Sequence, residues 1–291
     1  MTAALGQSGG PGSRSSLAEL LVSGLVAAGF WSVMVVAAAI ILYIAVRGLG
    51  TISVEFLTAM PRDRGLEGGI YPAIVGTLWL TVGTGLVAVP TGILSAVYLT
   101  EYARPGLAMR LINLAIVNLA GVPSIVYGLF GLALFVLLLG MGSSLGAASL
   151  TLGFLTLPVV VTATREALLA VPHSYREAAF ALGASRRQVI MTHVLPYARS
   201  GIVAGSLLGL SRAMGETAPI LVTGVAFVLP RLPQGFQSRF MALPYHLYIS
   251  ATQVPGMPSG RVWASALTLT AMVLVLNLLA GLLRSAGRKG V

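Results

Sequence analysis

The chain has 291 residues, 56% of them hydrophobic and only 9% charged, with a formal net charge of +10. Soluble domains carry about 25% charged residues, so this composition excludes an ordinary soluble globular domain. The sequence contains no cysteine, which excludes disulfides, thiol catalysis and cysteine metal sites.

A hydrocarbon core about 30 Å thick takes about 20 apolar residues per helix, and charge-free runs of that length recur along the chain. Residues 1–17, rich in Gly and Ser with one arginine, read as a disordered cytoplasmic tail. The apolar run 20–46 exceeds the roughly 7–15 residues of a signal-peptide core and reads as an uncleaved first span. Residues 47–69, with glycines and mixed charges, read as a loop holding a short interfacial helix. Run 70–100 is the second span. It carries Thr77, Thr81 and Thr84 on one helical face. Hydroxyls bonded to their own backbone are the preferred reading of that face; lining a pathway is the alternative, with Thr77 as its candidate.

Run 111–164 has room for two spans, with a turn at "GMGSSLG" (140–146). Inside it, "GVPSIVYGLFG" (121–131) interrupts the helix with Pro123 and three glycines. Broken helices at membrane depth persist only where protein buries them or where they line a cavity, which makes Ser124 and Tyr127 candidates for a pathway wall. Close helix packing through the glycines is the competing reading.

The insert 171–196 has its own signals. Ser174 and Glu177 form an S-x-x-E box that predicts a helix start at Tyr175. Gly183 suits a left-handed helix end, and Ser185 with Gln188 predicts a second helix from Arg186 toward Leu195-Pro196. Ala178 and Ala179 keep one face small enough for a partner to approach.

Run 200–228 is the fifth span, with Gly201, Gly205, Gly209 and Ala213 spaced by four as a packing stripe. Its only ions are Arg212 and Glu216. An ion at the centre of a membrane helix costs about 2.5–3.5 kcal/mol on insertion scales, so this pair is not expected to face lipid. Pro219 downstream is expected to free the Gly215 carbonyl. One reading of the pair is a salt bridge that fixes the helix. The other is a site where the always-charged fork of Arg212 receives an oxyanion and Glu216 accepts a hydrogen bond from a protonated one. Residues 231–261, aromatic and basic, read as an interfacial loop or a docking surface for an external protein, and run 262–283 is the sixth span.

The expected fold is all-α, a polytopic membrane protein of six transmembrane helices. With the N-terminus inside, eleven Arg and Lys side chains lie on cytoplasmic segments and six on outer ones. That places both termini in the cytoplasm and explains the basic charge as a topology signal, with no nucleic-acid partner.

The stretch "EAAFALGASRRQVIMTHVLP" resembles the EAA loop of bacterial ABC-importer permeases, through Glu177, Ala178, Ala179, Gly183, Leu195 and Pro196; His193 stands where that family has an aliphatic residue. The resemblance implies the MetI-like permease architecture, with the insert as the coupling helix that docks on a cytoplasmic ATPase. "GGIYPAIVGTLWLT" (68–81), "GVPSIVYGLFG" and "SRAMGETAPIL" (211–221) are similar to phosphate-specific importer permeases of the PstA type. That similarity implies phosphate as substrate and a cell inner membrane location. It also implies a PstC-type permease, two copies of a PstB-type ATPase and an external PstS-type phosphate-binding protein as partners. The matching Arg and Glu are implicated in phosphate passage in that family. ATP and magnesium would sit on the ATPase, leaving this chain without cofactor, metal or catalytic residue. The only lysine, Lys289, is followed by Gly290, so a nucleotide-binding P-loop is excluded.

Three alternatives differ in class. An importer permease for another oxyanion or small solute shares every feature above. An ion-coupled secondary transporter could use Arg212 and Glu216, but it does not need a capped helix pair, and no inverted repeat is visible. A membrane enzyme needs convergent acids, bases or metal ligands, and the chain offers one Asp (Asp63) and three scattered histidines (His173, His193, His246).

Overall fold

The computed structural model describes residues 15–229 and 231–288. The expected tail therefore falls almost wholly outside the described residues, and its last three positions already belong to helix α1 (Ser15–Gly48). After α1 come α2 (Val54–Thr58) and a two-stranded antiparallel hairpin, β1 (Pro61–Arg62) and β2 (Glu67–Gly68), with Pro61 opposite Gly68 and Arg62 opposite Glu67. Helix α3 (Tyr71–Val97) runs on as a π-helical turn to Tyr102. Helices α4 (Leu107–Gly121) and α5 (Ser124–Gly131, extended in π form to Leu138) follow, then α6 (Leu145–Leu169).

Helix α7 (His173–Ala181) leads to α8 (Arg186–Val189), which passes through π-helical residues 190–194 into α9 (Leu195–Met214). Short α10 (Ala218–Leu221) and α11 (Leu243–Thr252) precede α12 (Ser259–Arg288).

Among the described residues, four helices are long and apolar enough to span a membrane, and a fifth if α4 and α5, bent by 103° at their junction, count as one. The bend sits where "GVPS" predicts a break. Pro123 has no amide proton and pushes Val122 into extended backbone (φ −70°, ψ 131°). Helix α9 is the sixth element of the bundle. Its 20 residues reach about 30 Å, but Arg199, Arg212 and its glycines dilute its hydropathy.

Three boundaries differ from expectation. The helix predicted over 200–228 starts earlier and stops at Met214, because Pro219 cannot donate to Gly215 and its ring would collide with that carbonyl. Gly215 is therefore a helix end, and Pro219 begins α10 in place of interrupting a longer helix. The second helix of the insert does not stop at Leu195-Pro196, since Pro196 occupies the tolerated first turn of α9. Residues 231–261 are an interfacial loop only at their two ends, because the middle is buried and carries α11. Phe240, Met241, Ala242 and Leu243 are at most 1% exposed, and the segment folds over the start of α6.

There the Phe236, Ser238 and Thr223 carbonyls accept the amides of Gly146, Leu145 and Ser144 at 2.6, 2.9 and 3.1 Å, while Ser144 Oγ accepts the Ala147 amide at 3.2 Å. A helix start buried under protein keeps its free amides paired in this way.

The core is the stack of α3, α6 and α9. Gly201 faces Ala167, Gly205 faces Ala163, and Gly209 faces Thr156, Val159 and Val160, so the predicted small-residue stripe is the α6–α9 seam. Helix α12 packs on α9 and α1, and Ser211 Oγ donates to Asn277 Oδ1 at 2.7 Å across that contact.

Candidate functional site

Helix α9 positions Arg212 in its last turn, where free carbonyls favour a cation. The Arg212 carbonyl accepts the Gly215 amide at 3.0 Å and the Ala213 carbonyl accepts the Glu216 amide at 3.1 Å, which turns the chain and brings Glu216 back toward Arg212. Arg212 Nε lies 3.7 Å from Glu216 Oε1. That distance makes a Coulombic pair too long for a hydrogen bond. The two residues are not stacked on one helix face as the i, i+4 spacing suggests; they meet across a helix end.

The antiparallel seam register puts Arg212 about level with Thr156, near the middle of the 25-residue α6. There its side chain is 61% exposed on this chain alone, while that of Glu216 is 17% exposed. With Glu216 beside Nε, both terminal nitrogens of the fork remain available for bidentate contact with a planar or tetrahedral oxyanion.

The segment that carries Ser124 and Tyr127 lies beside this turn. Gly128 of α5 packs against Pro219 and Ala218 of α10, with a Cβ at Gly128 falling only 3.0–3.2 Å from their backbone. Ser124 is half-buried in the first turn of α5. Tyr127 is buried, and its hydroxyl donates to the Leu119 carbonyl at 2.8 Å, tying the end of α4 across the bend.

Thr77 stands apart from this group. Gly92 of α3 packs on Val160, close to the level of Arg212, so Thr77 lies about 20 Å away along α3. It is fully buried, donates to the Ala73 carbonyl at 2.7 Å and accepts the Leu243 amide at 2.9 Å, which pairs an otherwise free amide of α11. Thr81 likewise donates to the Thr77 carbonyl at 2.8 Å. The preferred sequence reading, hydroxyls bonded to backbone, describes both but not Thr84, whose buried hydroxyl has no hydrogen-bond partner among the described residues.

At the far end of α6 the insert forms a compact hook. Helix α7 begins at His173, two residues before the predicted start, and no side chain caps it. Pro172 holds the last non-helical position, so Ser174 is already helical and cannot act as the cap. The other predicted signals are present. Gly183 has φ +81°, its amide donates to Phe180, and the Ala184 amide donates to Ala179 at 3.1 Å, the paired closure of a Schellman motif. Ser185 and Gln188 make the reciprocal capping box that starts α8.

Glu177 and Ala178 are exposed, whereas Ala179 is buried against Leu168, Val171, Val189 and Val194, with Leu195 packed at the edge. The two alanines thus differ: Ala179 seats α7 on the bundle, and Ala178 leaves the exposed side of the helix small. Phe180 and Leu182 point away from the chain, 48% and 90% exposed. Pro196 is exposed at the start of α9.

Sequence reasoning missed one buried pair. Arg176 Nη2 lies 3.1 Å from Glu101 Oε1, joining α7 to the end of α3. The available signal was Glu101 itself, the acid that closes the charge-free run 70–100.

Residues 88–288 match the model of the binding-protein-dependent transport system inner membrane component. The chain is 41% identical over 217 residues to the phosphate transport system permease protein PstA 1 of Mycobacterium tuberculosis, covering 75% of this chain and 70% of that protein. It is 33% identical over 232 residues to the phosphate transport system permease protein PstA of Haemophilus influenzae, covering 80% and 81%.

In fold it is similar to the inward-facing MetNI methionine ABC transporter, with TM-score 0.60 at 18% identity over 75% of this chain and 97% of that one. An amino acid ABC transporter follows at TM-score 0.54 and 20% identity, over 75% and 92%. The apolar spans, the MetI-like arrangement of helices and the matched region lead to one conclusion: this chain is an integral inner-membrane protein and belongs to the inner membrane components of binding-protein-dependent ABC transport systems.

Proposed function

We propose that this chain is the PstA-type permease subunit of an ATP-driven importer and passes inorganic phosphate through a pathway that includes Arg212 and Glu216. The observation that carries the reading is the placement of Arg212, in the last turn of α9 and level with the middle of the spanning helix α6, with an exposed guanidinium fork. A bare cation at that depth is too costly against lipid, so its open side belongs against a second permease subunit and the solute between them. Glu216 tempers the charge between transport cycles and accepts the proton-bearing oxygen of hydrogen phosphate, a hydrogen bond that fully ionised sulfate cannot give. The bent α4–α5 segment with Ser124 and Tyr127 forms the adjoining wall.

In the same reading the end bearing α7 and both termini face the cytoplasm, and α7 docks on one of two PstB-type ATPases. Those subunits hold ATP and magnesium, so this chain carries no cofactor. A PstC-type permease completes the membrane part, and a PstS-type protein delivers phosphate to the opposite end. The relatives named for phosphate transport support the substrate, and the capped hook with Gly183 at its bend supports the docking.

The test is uptake by the complete complex in vesicles. Arg212→Lys and Glu216→Gln each leave all subunits copurifying and lower phosphate uptake about 10–100-fold, the loss of one charge-assisted contact worth about 1.5–3 kcal/mol. Sulfate in excess does not compete in the parental complex. Parental rates in both variants, or losses that track a collapsed complex, make the pair structural.

A further inference from the structure

Helix α7 is tied to the bundle by the side chain of Arg176. Nη1 donates to the Val171 carbonyl at 2.7 Å, and Nη2 donates to the Leu168 carbonyl at 2.9 Å and to Glu101 Oε1 at 3.1 Å. Leu168 lies in the last turn of α6, Val171 lies in the turn into α7, and Glu101 belongs to the π-helical end of α3. The two side chains are 14% and 11% exposed, and Glu101 is the buried acid among the described residues.

The two backbone contacts cap the end of α6 and would do so without any carboxylate. The Glu101 arm needs a different reason. Apolar packing already holds α7, through Ala179, Val189 and Val194 against Leu168 and Val171. A buried ion pair adds little stability beyond such packing, and its best-attested use is to fix register. Apolar contact lets two helices slide, whereas a planar fork bonded on two sides fixes direction. Helix α6 is also the surface on which α9 rests through Gly201, Gly205 and Gly209, with Arg212 on the last turn beyond them.

We propose that Arg176 and Glu101 are positioning residues that convey displacement of α7 to α3 and α6, and through the α6–α9 seam to Arg212. The proposal rests on the reading that α7 docks the ATPase.

Glu101→Gln tests it, since the amide keeps the shape and an acceptor oxygen while removing the charge. In the complete complex in vesicles, subunit composition stays parental and ATP hydrolysis continues. Phosphate accumulated per ATP hydrolysed falls about tenfold, within the range of ordinary coupling energies. Glu101→Asp, which retains the charge, recovers part of the ratio. Because the chain has no cysteine, Glu101→Cys with Arg176→Cys can be joined by a short bis-methanethiosulfonate, each thiolate forming a disulfide as methanesulfinate leaves, and the joined pair regains coupling that the unjoined pair lacks.

An unchanged ratio in Glu101→Gln overturns the proposal, as does a joined pair that stays uncoupled or a ratio that falls only as the complex is lost. The underlying docking is read separately, from copurification of the ATPase with Leu182→Asp. If that variant binds the ATPase normally, the docking reading fails. If it loses the ATPase while Glu101→Gln keeps its ratio, only the positioning role fails.

Discussion

Gly183 has φ +81° with no atom within 4 Å of where a Cβ would stand, so a side chain there meets backbone strain and no clash. Left-handed backbone costs an ordinary residue about 1–2 kcal/mol, less for Asn and more for a β-branched residue. Copurification of the ATPase is therefore expected to weaken in the order Gly183→Asn, Gly183→Ala, Gly183→Val. Equal loss in Asn and Val would mean that the bend itself is irrelevant. His246 makes a second residue-scale case, on α11 outside the spans. Burial first, and then the positive charge of Arg261, lower its pKa to about 4, although a backbone hydrogen bond with Phe227 works the other way. The ring stacks on Phe227 at 5.1 Å. The unfolded residue titrates near 6.5, so the unfolded chain takes up a proton that the folded chain refuses. Stability from this site is complete above about pH 6.5 and declines toward pH 4 by up to about 1.4 kcal/mol per unit. Thermal midpoints measured across that window should fall with acid in the parental chain and flatten in His246→Phe.

At the scale of elements, the α6–α9 seam governs where Arg212 stands. A Cβ at Gly205 would lie 2.5 Å from Ala163 Cβ, so Gly205→Val forces the helices apart. Overpacking of this kind costs about 1–3 kcal/mol, and here it also shifts the end of α9. The expected result is a lower thermal midpoint together with reduced uptake, both partly restored by Ala163→Gly in the same chain. Restoration of neither would place the damage elsewhere. The seam was legible because four-residue spacing of small side chains depends on one helix alone. So were α1, α3 and α12, whose long apolar runs need no tertiary context. The capping box at Ser185 was legible for the same reason, whereas the one at Ser174 was not, since Pro172 two residues earlier claimed the helix start. Helix α11 and the 61–68 hairpin were hidden because they owe their form to burial against other elements. Phe240 to Leu243 look like an interfacial loop until α3 and α12 close over them. The end of α9 was readable in principle from Gly215 and Pro219, but the absence of charge over 200–228 masked it.

As a whole molecule the chain presents surfaces that its own fold leaves open. In α1 the hydrophobic window is wholly unburied, as suits a lipid-facing span. The open face of Arg212 does not suit lipid, and the hook at α7 carries Phe180 and Leu182 outward. Leu182 is 90% exposed one residue before the glycine that turns the chain, so the hook holds its most exposed apolar side chain at its tip. Burying a fully exposed Leu or Phe side chain contributes about 1.5–3 kcal/mol, so on the proposed docking the two together would supply at most about 3–6 kcal/mol to the ATPase contact. At about 1.4 kcal/mol per tenfold, Phe180→Ala with Leu182→Ala is expected to weaken ATPase affinity by about 10²–10⁴. Neither side chain holds the hook together, because Ala179 and Ala184 do that from its inner face. The double variant should therefore insert and show a parental thermal midpoint, yet fail to retain the ATPase in equilibrium binding of the purified subunits. Affinity within threefold of the parental value would show that the ATPase holds this chain by some other surface.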